Sequence, residues 1–199
     1  LIAAAAIAAS TGPLSWAAVL TASGDGVLAG SAAGVDLANN GSPSLDVQGF
    51  DELQGVFVRE GAVTVDFIVG TNIAVGDTQA GIDDFVSGLA LPRGTYDSHI
   101  LHLDLPATGS IVSATFTFDA PIAALISTNG DAAELADTLL FFSDDDFGNA
   151  ADYAGDALFR RIESDETFTI VDPTTIRVDG WRVGGGATDH LRVLTQTEI

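Results

Sequence analysis

The residues best suited to do chemistry are the carboxylates of one short acidic segment. Four aspartates lie close together around a Phe-Gly pair: Asp144, Asp145, Asp146 and Asp152. Calcium takes roughly six to eight oxygen ligands, and clustered carboxylates on a glycine-containing loop can supply several of them. The spacing differs from that of an EF-hand loop, because the glycine and the distant glutamate are misplaced. The pattern predicts a calcium site at these four aspartates, with a solvated acidic loop as the alternative.

The three histidines of the chain are His99, His102 and His190. The first two are three residues apart in a segment with strand character, so their side chains should point to opposite faces of a sheet. They cannot both bind one ion unless a bulge interrupts the strand. We therefore expect hydrogen-bonded or exposed imidazoles here rather than a zinc site.

Catalytic signatures are weak throughout the sequence. The chain has no G-x-S-x-G segment, which would mark a serine nucleophile on a strand-to-helix turn. Paired carboxylates could support glycoside hydrolysis, but with 28 acidic residues some pair will always have a suitable separation. The sequence therefore predicts a protein that is not an enzyme, with no catalytic residues to name.

The composition is strongly acidic. The formal net charge is −21, from 28 acidic residues against seven basic ones. Such a field repels phosphate backbones and anionic lipid surfaces, so nucleic acid and anionic membranes are not expected partners. Hydrophobic residues make up 47% of the chain, which is too many for a disordered acidic segment. The carboxylates are therefore expected on the surface of a folded protein.

The N-terminal residues 1–17 differ from the rest of the chain. A short apolar run, residues 1–9, is followed by Pro13 and by Ser15-Trp16-Ala17, which approximates a small-x-small signal-peptidase site before Ala18. The apolar run is too short to span a bilayer. We interpret residues 1–17 as the remnant of a signal peptide, or alternatively as a retained segment that takes part in assembly. Residues 18–199 are predicted to form a single domain.

The central part of that domain, residues 94–127, carries the clearest strand signals. Two strands and the beginning of a third alternate apolar and polar residues, with prolines and glycine between them. In the second strand Ala114, Phe116 and Phe118 point one way, and the intervening polar residues point the other. This pattern predicts the middle of an antiparallel sheet with one face on a core and one face in water.

The remaining segments add short strands and one helix. Asp131 and Glu134 have the spacing of a capping box, followed by leucines at helical spacing, so a short helix is expected there. Roughly ten short strands separated by turns indicate a sandwich. The predicted fold is an all-β, antiparallel β-sandwich of jelly-roll type, with one or two short peripheral helices.

Five blocks of sequence follow one another in a recognisable order between residues 50 and 195. They are Phe50-Asp51-Glu52-x-Gln54-Gly55-Val56, Pro92-Arg93-Gly94-Thr95, Asp97-Ser98-His99-Ile100-Leu101-His102-Leu103-Asp104, Phe116-Thr117-Phe118-Asp119-x-Pro121-Ile122 and Asp189-His190-Leu191-Arg192-Val193-Leu194-Thr195. The order of these blocks resembles a family of secreted bacterial proteins that carry a C-terminal PEP-CTERM sorting segment. The Pro-Glu-Pro motif, transmembrane helix and basic tail of that sorting segment do not occur in this chain. The resemblance implies export across the inner membrane and a place at the cell surface or in the extracellular matrix.

Together these observations predict a secreted, non-enzymatic structural or matrix protein of the bacterial cell surface or biofilm. Self-association into filaments or a layer would use unpaired strand edges, because an open edge is a template for a strand of another chain. The alternative is a calcium-dependent carbohydrate-binding module, with extracellular polysaccharide as its partner.

Overall fold

The computed structural model describes residues 18–31, 44–80, 89–103, 111–126, 159–160, 165–182 and 188–198. These residues contain strands and no helix, and hence no helix long and apolar enough to cross a membrane. The predicted helix that begins at Asp131, the four aspartates of the acidic segment and residues 1–17 lie outside the described residues. In chain order the strands are β1 Val19–Gly24, β2 Gly26–Ser31, β3 Val47–Asp51, β4 Val56–Val58, β5 Thr64–Val65, β6 Phe67–Ile68, β7 Thr78–Ala80, β8 Leu89–Ala90, β9 Gly94–Leu103, β10 Val112–Phe118, β11 Ile122–Ile126, β12 Phe159–Arg160, β13 Thr167–Asp172, β14 Thr175–Trp181 and β15 Thr188–Glu198.

These strands form two main sheets that pack against each other. The first sheet has the order β1-β10-β14-β13-β7, and the second has the order β2-β3-β9-β15-β11-β6, with β4 added beside β9 and β12 beside β15. β5 and β8 form a separate two-stranded ribbon. Pairing of these strands is antiparallel except between β2 and β3 and between β12 and β15. The prediction of an all-β, antiparallel sandwich is confirmed.

The central stretch forms strands as predicted, but it does not form one sheet. β9 and β11 belong to the second sheet, whereas β10 lies in the first, between β1 and β14. The prediction that these strands lie together in the middle of one sheet is therefore wrong. Alternation of apolar and polar residues shows which face of a strand is buried, but it carries no information about which strand lies beside it.

The main core lies between the two sheets. The first sheet contributes the large buried side chains Phe116, Phe118 and Trp181, which meet Leu101 and Leu191 of the second sheet. Along β10, buried and half-buried positions alternate without exception, so the predicted alternation of that strand is confirmed. This core places one face of β9 and β15 against the first sheet.

The second sheet is buried on its other face too. In β9 every residue from Tyr96 to Leu103 is buried, so both faces of this strand are covered. A second apolar cluster, which includes Val58, Leu91, Tyr96 and Leu194, packs on that outer face. The polar side chains that the sequence places on the outer face of β9 and β15 are therefore interior groups.

The packing of the main core requires a residue without a side chain at position 49 of β3, which is Gly49. A Cβ atom built on Gly49 would lie 2.7 Å from Cε1 and 2.9 Å from Cδ1 of the buried Phe116 ring. We expect Gly49→Ala to lower the free energy of unfolding by about 1–3 kcal/mol, the usual cost of overpacking. Urea denaturation of Gly49→Ala in the wild-type and Phe116→Leu backgrounds measures this. The cost should shrink when Phe116 is leucine; an equal cost in both backgrounds would contradict the packing explanation.

Candidate functional site

Three strands bring a carboxylate, an imidazole and a hydroxyl into line on the inner face of the second sheet. Asp51 of β3 lies beside His99 of β9, with Oδ1 and Nδ1 2.8 Å apart, and His99 Nε2 lies 3.0 Å from Oγ1 of Thr195 on β15. An ionised carboxylate can only accept, so Nδ1–H of His99 donates to Asp51, and in the neutral ring Nε2 then accepts a hydrogen bond from the Thr195 hydroxyl. The order of these groups is that of a hydrolase triad.

The burial of the imidazole and the hydroxyl of this triad argues against catalysis by it. His99 and Thr195 are 0% exposed, and the Phe118 ring lies against the imidazole with its centroid 4.7 Å away. A nucleophile must reach its substrate, and this hydroxyl does not reach the surface. Asp51 Oδ1 also accepts from the backbone N–H of Val19 at 3.0 Å, so the same carboxylate links the second sheet to β1. The triad is best understood as a satisfied polar connection between strands.

A buried ion pair occupies the outer face of the same sheet. Arg192 of β15 donates from Nε and Nη2 to the two carboxylate oxygens of Glu52, each at 2.8 Å, and the Ser98 hydroxyl donates to Glu52 Oε2 at 2.6 Å. The Arg192 and Glu52 side chains are 1% and 0% exposed. A bidentate pair with additional hydrogen bonding is the geometry that makes burial of two charges tolerable.

Next to this ion pair lie two histidines whose ring nitrogens contact each other. His102 and His190 are directly opposite on β9 and β15, with Nδ1 of His102 2.5 Å from Nε2 of His190 and ring centroids 4.7 Å apart. Burial lowers the pKa of His102 to about 3. Burial, followed by the charges of His102 and Arg192, lowers the pKa of His190 well below its usual range. Both rings are therefore neutral at neutral pH.

His99 and His102 lie on opposite faces of β9, as predicted, and each is hydrogen-bonded. Of the two expected alternatives, hydrogen-bonded or exposed imidazoles, the structure shows the first, since all three histidines are buried. The His102–His190 pair was missed because 88 residues separate the two in sequence, and only the register of β9 against β15 joins them.

One edge of the sandwich is formed by β1 and β2, which follow each other with only Asp25 between them. Among the described strands, β1 pairs only with β10 and β2 only with β3, so each is the edge of its sheet. We call residues 19–31 the β1–β2 edge. Three large apolar side chains on it are exposed: Leu20 (50%), Val27 (36%) and Leu28 (49%).

The β1–β2 edge carries little charge for a chain in which 18% of the residues are charged. Its only charged residue is Asp25. The Asp25 carboxylate accepts from Ser113 N–H at 2.9 Å, and its backbone bonds to Ser113 and Val47. The surface that this edge presents is therefore apolar and nearly neutral.

Searches against family models, curated proteins and solved structures give no match.

A shallow cleft of about 500 Å³ lies at one end of the second sheet. None of its lining residues among the described ones is charged, although the chain carries a net charge of −21. Its walls include Ile68, Val69, Pro92, Pro121 and Gln196. Such a surface can accept a neutral ligand with apolar and hydrogen-bonding faces.

The predicted calcium ligands Asp144, Asp145, Asp146 and Asp152 lie outside the described residues, so calcium at these positions stays a prediction. Among the described residues there is no group of three or more histidine, aspartate or glutamate side chains able to hold a metal ion. The functional candidates in the described part are therefore the β1–β2 edge, the neutral cleft and the histidine pair.

Proposed function

We propose that this protein is a secreted, non-enzymatic structural component of a bacterial surface or matrix that self-associates through the β1–β2 edge. The observation that supports this most is the exposure of Leu20, Val27 and Leu28 on two edge strands with a single charged residue between them. An open edge offers backbone N–H and C=O groups to a strand of a second chain, and exposed apolar side chains add burial to those hydrogen bonds.

The part of the edge suited to pairing is short. Gly30 has a φ of +81°, and the register of β2 against β3 shifts between Leu28 and Gly30. A bulge of this kind bends an edge strand and limits the length over which another strand can pair with it. Pairing is therefore expected at residues 26–29, which include both Val27 and Leu28.

Electrostatic repulsion between copies also favours association through the β1–β2 edge over association through more acidic surfaces. Two copies with a net charge of −21 each repel one another, and the repulsion is weaker where carboxylates are few. The β1–β2 edge, with one carboxylate, meets this condition. Raising the ionic strength shortens the screening length to about 3 Å at 1 M salt, so association through this edge should strengthen with salt.

The burial of His99 and Thr195 in the Asp51–His99–Thr195 triad supports the non-enzymatic part of the proposal, because the Thr195 hydroxyl does not reach solvent. Secretion is proposed from the apolar N-terminal residues and from the resemblance to PEP-CTERM proteins. The proposed protein thus combines an N-terminal export signal with the β1–β2 edge, through which copies would associate into a matrix.

Replacement of Leu28 by lysine tests the proposal. A lysine on an edge strand opposes strand addition because its charge would be buried in the new pair, so Leu28→Lys should shift the sedimentation profile of the full chain from oligomers to monomers. Val171→Lys is the matched control: Val171 is 47% exposed, close to the 49% of Leu28, but it lies on β13, which is paired on both sides. Monomers of the wild-type protein at high concentration and high salt would disprove self-association. Equal shifts of the sedimentation profile by Leu28→Lys and Val171→Lys would disprove association through the β1–β2 edge.

The uncharged cleft favours a second candidate, a carbohydrate-binding module. Neutral sugars present apolar ring faces and hydroxyl groups, which match proline and isoleucine walls beside the Gln196 amide. A glycan array probed with and without calcium tests it: binding lost on chelation supports the calcium-dependent module. A blank array in calcium excludes it.

A further inference from the structure

A row of nitrogen and oxygen ligands crosses three strands on the outer face of the second sheet. Gln48 of β3 is in register with His102 of β9, and His102 is in register with His190 of β15. Side chains directly opposite one another on adjacent strands lie on the same face. We propose that this row binds one divalent transition-metal ion, with the imidazoles of His102 and His190 as its principal ligands and the Gln48 amide oxygen as a third.

The two imidazoles already converge. Nδ1 of His102 and Nε2 of His190 are 2.5 Å apart. Two nitrogens bound to one tetrahedral zinc ion at the usual Zn–N distance are about 3.3 Å apart. The rings must therefore separate by less than about 1 Å, which a small rotation of either side chain provides.

The protonation state suits a metal ligand. Imidazole binds metals through a deprotonated nitrogen, and the hydrogen bond between Nδ1 of His102 and Nε2 of His190 requires one of these two nitrogens to be deprotonated already. The guanidinium of Arg192 lies on the same face, and its charge is matched by the bidentate contact with Glu52. The charge of Arg192 still acts on His190, so a dication between the histidines is expected to bind less tightly than at a site without the arginine.

A histidine at position 102 has a cost in stability. His102 is fully buried, and its Nε2 atom has no hydrogen-bond partner among the described residues. Leaving a buried polar atom without a partner costs about 1–3 kcal/mol. Nε2 is not the atom that would bind the ion, so this cost remains with the ion bound, and a buried polar group kept at such a cost calls for an explanation such as a functional role.

The types of ligand atom in the proposed site determine which metal ions can bind there. Imidazole nitrogens bind zinc, copper and nickel, whereas calcium requires oxygen ligands. The proposed site is thus chemically distinct from the calcium site predicted at the acidic segment. Calcium should not compete with zinc or copper here.

Copper(II) and zinc(II) are the probes for the test, added to the full chain both when folded and during refolding, because His102 and His190 are buried. The wild-type protein should bind one ion per chain, and the copper form should show electron paramagnetic resonance splitting from two nitrogens. His102→Gln and His190→Gln should each weaken binding by more than about tenfold, the loss that removing even an outer partner of a metal ligand causes. His99→Gln is the control, since His99 lies on the opposite face of β9.

The copper spectrum of the wild-type protein tests the site even if a histidine variant fails to fold. Absence of binding under both loading conditions would overturn the proposal. A copper spectrum with oxygen ligands alone, or affinity that is unchanged in His102→Gln, would also overturn it, because the ion would then be bound by carboxylates. Displacement of the ion by millimolar calcium would exclude the histidine site for the same reason.

Discussion

Replacing Arg192 by methionine is expected to lower the free energy of unfolding by about 3–5 kcal/mol. The substitution leaves the Glu52 carboxylate buried with Ser98 as its remaining side-chain donor and without a countercharge. An uncompensated buried charge is far more costly than the ion pair itself is stabilising. Urea denaturation followed by circular dichroism measures the change, and a loss this large is expected to leave the variant partly unfolded.

Two comparison variants make this result specific. The double variant Glu52→Gln/Arg192→Met removes both charges and should recover much of the lost stability. Arg177→Met breaks the exposed Arg177–Asp179 pair, whose side chains are 54% and 30% exposed, and should change stability by no more than about 1 kcal/mol. If Arg192→Met costs no more than Arg177→Met, the burial assigned to the Glu52–Arg192 pair is incorrect.

Mild acid is expected to destabilise the fold through the histidine pair. The pKa of His102 is about 3 in the folded state and about 6.5 in an unfolded chain. Between these values the unfolded chain binds a proton that the folded chain does not, so stability falls as the pH falls. The contribution is complete above about pH 6.5, is lost progressively toward pH 3, and declines by up to about 1.4 kcal/mol per pH unit for one proton. His190, whose pKa is also lowered, should steepen the decline.

The pH range from about 5 to 6.5 isolates this effect. Most of the 28 carboxyl groups are still ionised there, whereas a free imidazole is already binding its proton. His102→Gln should flatten the dependence of unfolding free energy on pH in this range, and Asp172→Asn should leave it unchanged. Asp172 is a suitable control because its pKa is lowered by the backbone hydrogen bond from Thr174, so its own effect appears only in stronger acid. Parallel profiles for wild type and His102→Gln would contradict the assignment.

The sequence was sufficient to predict where strands lie and which face of a strand is buried, but not which strands lie side by side. Alternation along β10 identified Ala114, Phe116 and Phe118 as core residues, because burial on one face leaves a period of two. The same information could not show that β10 leaves the sheet of β9, since that depends on the turn at 119–121 and on non-local pairing. Local pattern and long-range register are separate kinds of information, and only the first is readable in a single sequence.

In the candidate sites too, the local pattern could be predicted from the sequence and the long-range contacts could not. The opposite orientation of His99 and His102 followed from strand geometry alone. The contacts of His102 with His190 and of Arg192 with Glu52 join residues 88 and 140 positions apart. The polar residues of both segments were a usable signal, but such residues look the same on a solvated face as on a buried one. Their burial follows from packing on the outer face of the second sheet, which no local pattern reveals.

Hydrogen–deuterium exchange of the β2 amides tests the proposed edge assembly most directly. The full chain is labelled at low and at high concentration in the same high-salt buffer, and peptides covering residues 26–29 are compared with peptides from β13. Protection of β2 should rise with concentration while β13 is unchanged, because strand addition engages the edge amides that β3 leaves open. A rise in particle mass without added protection at β2 would place the contact elsewhere and contradict assembly through this edge.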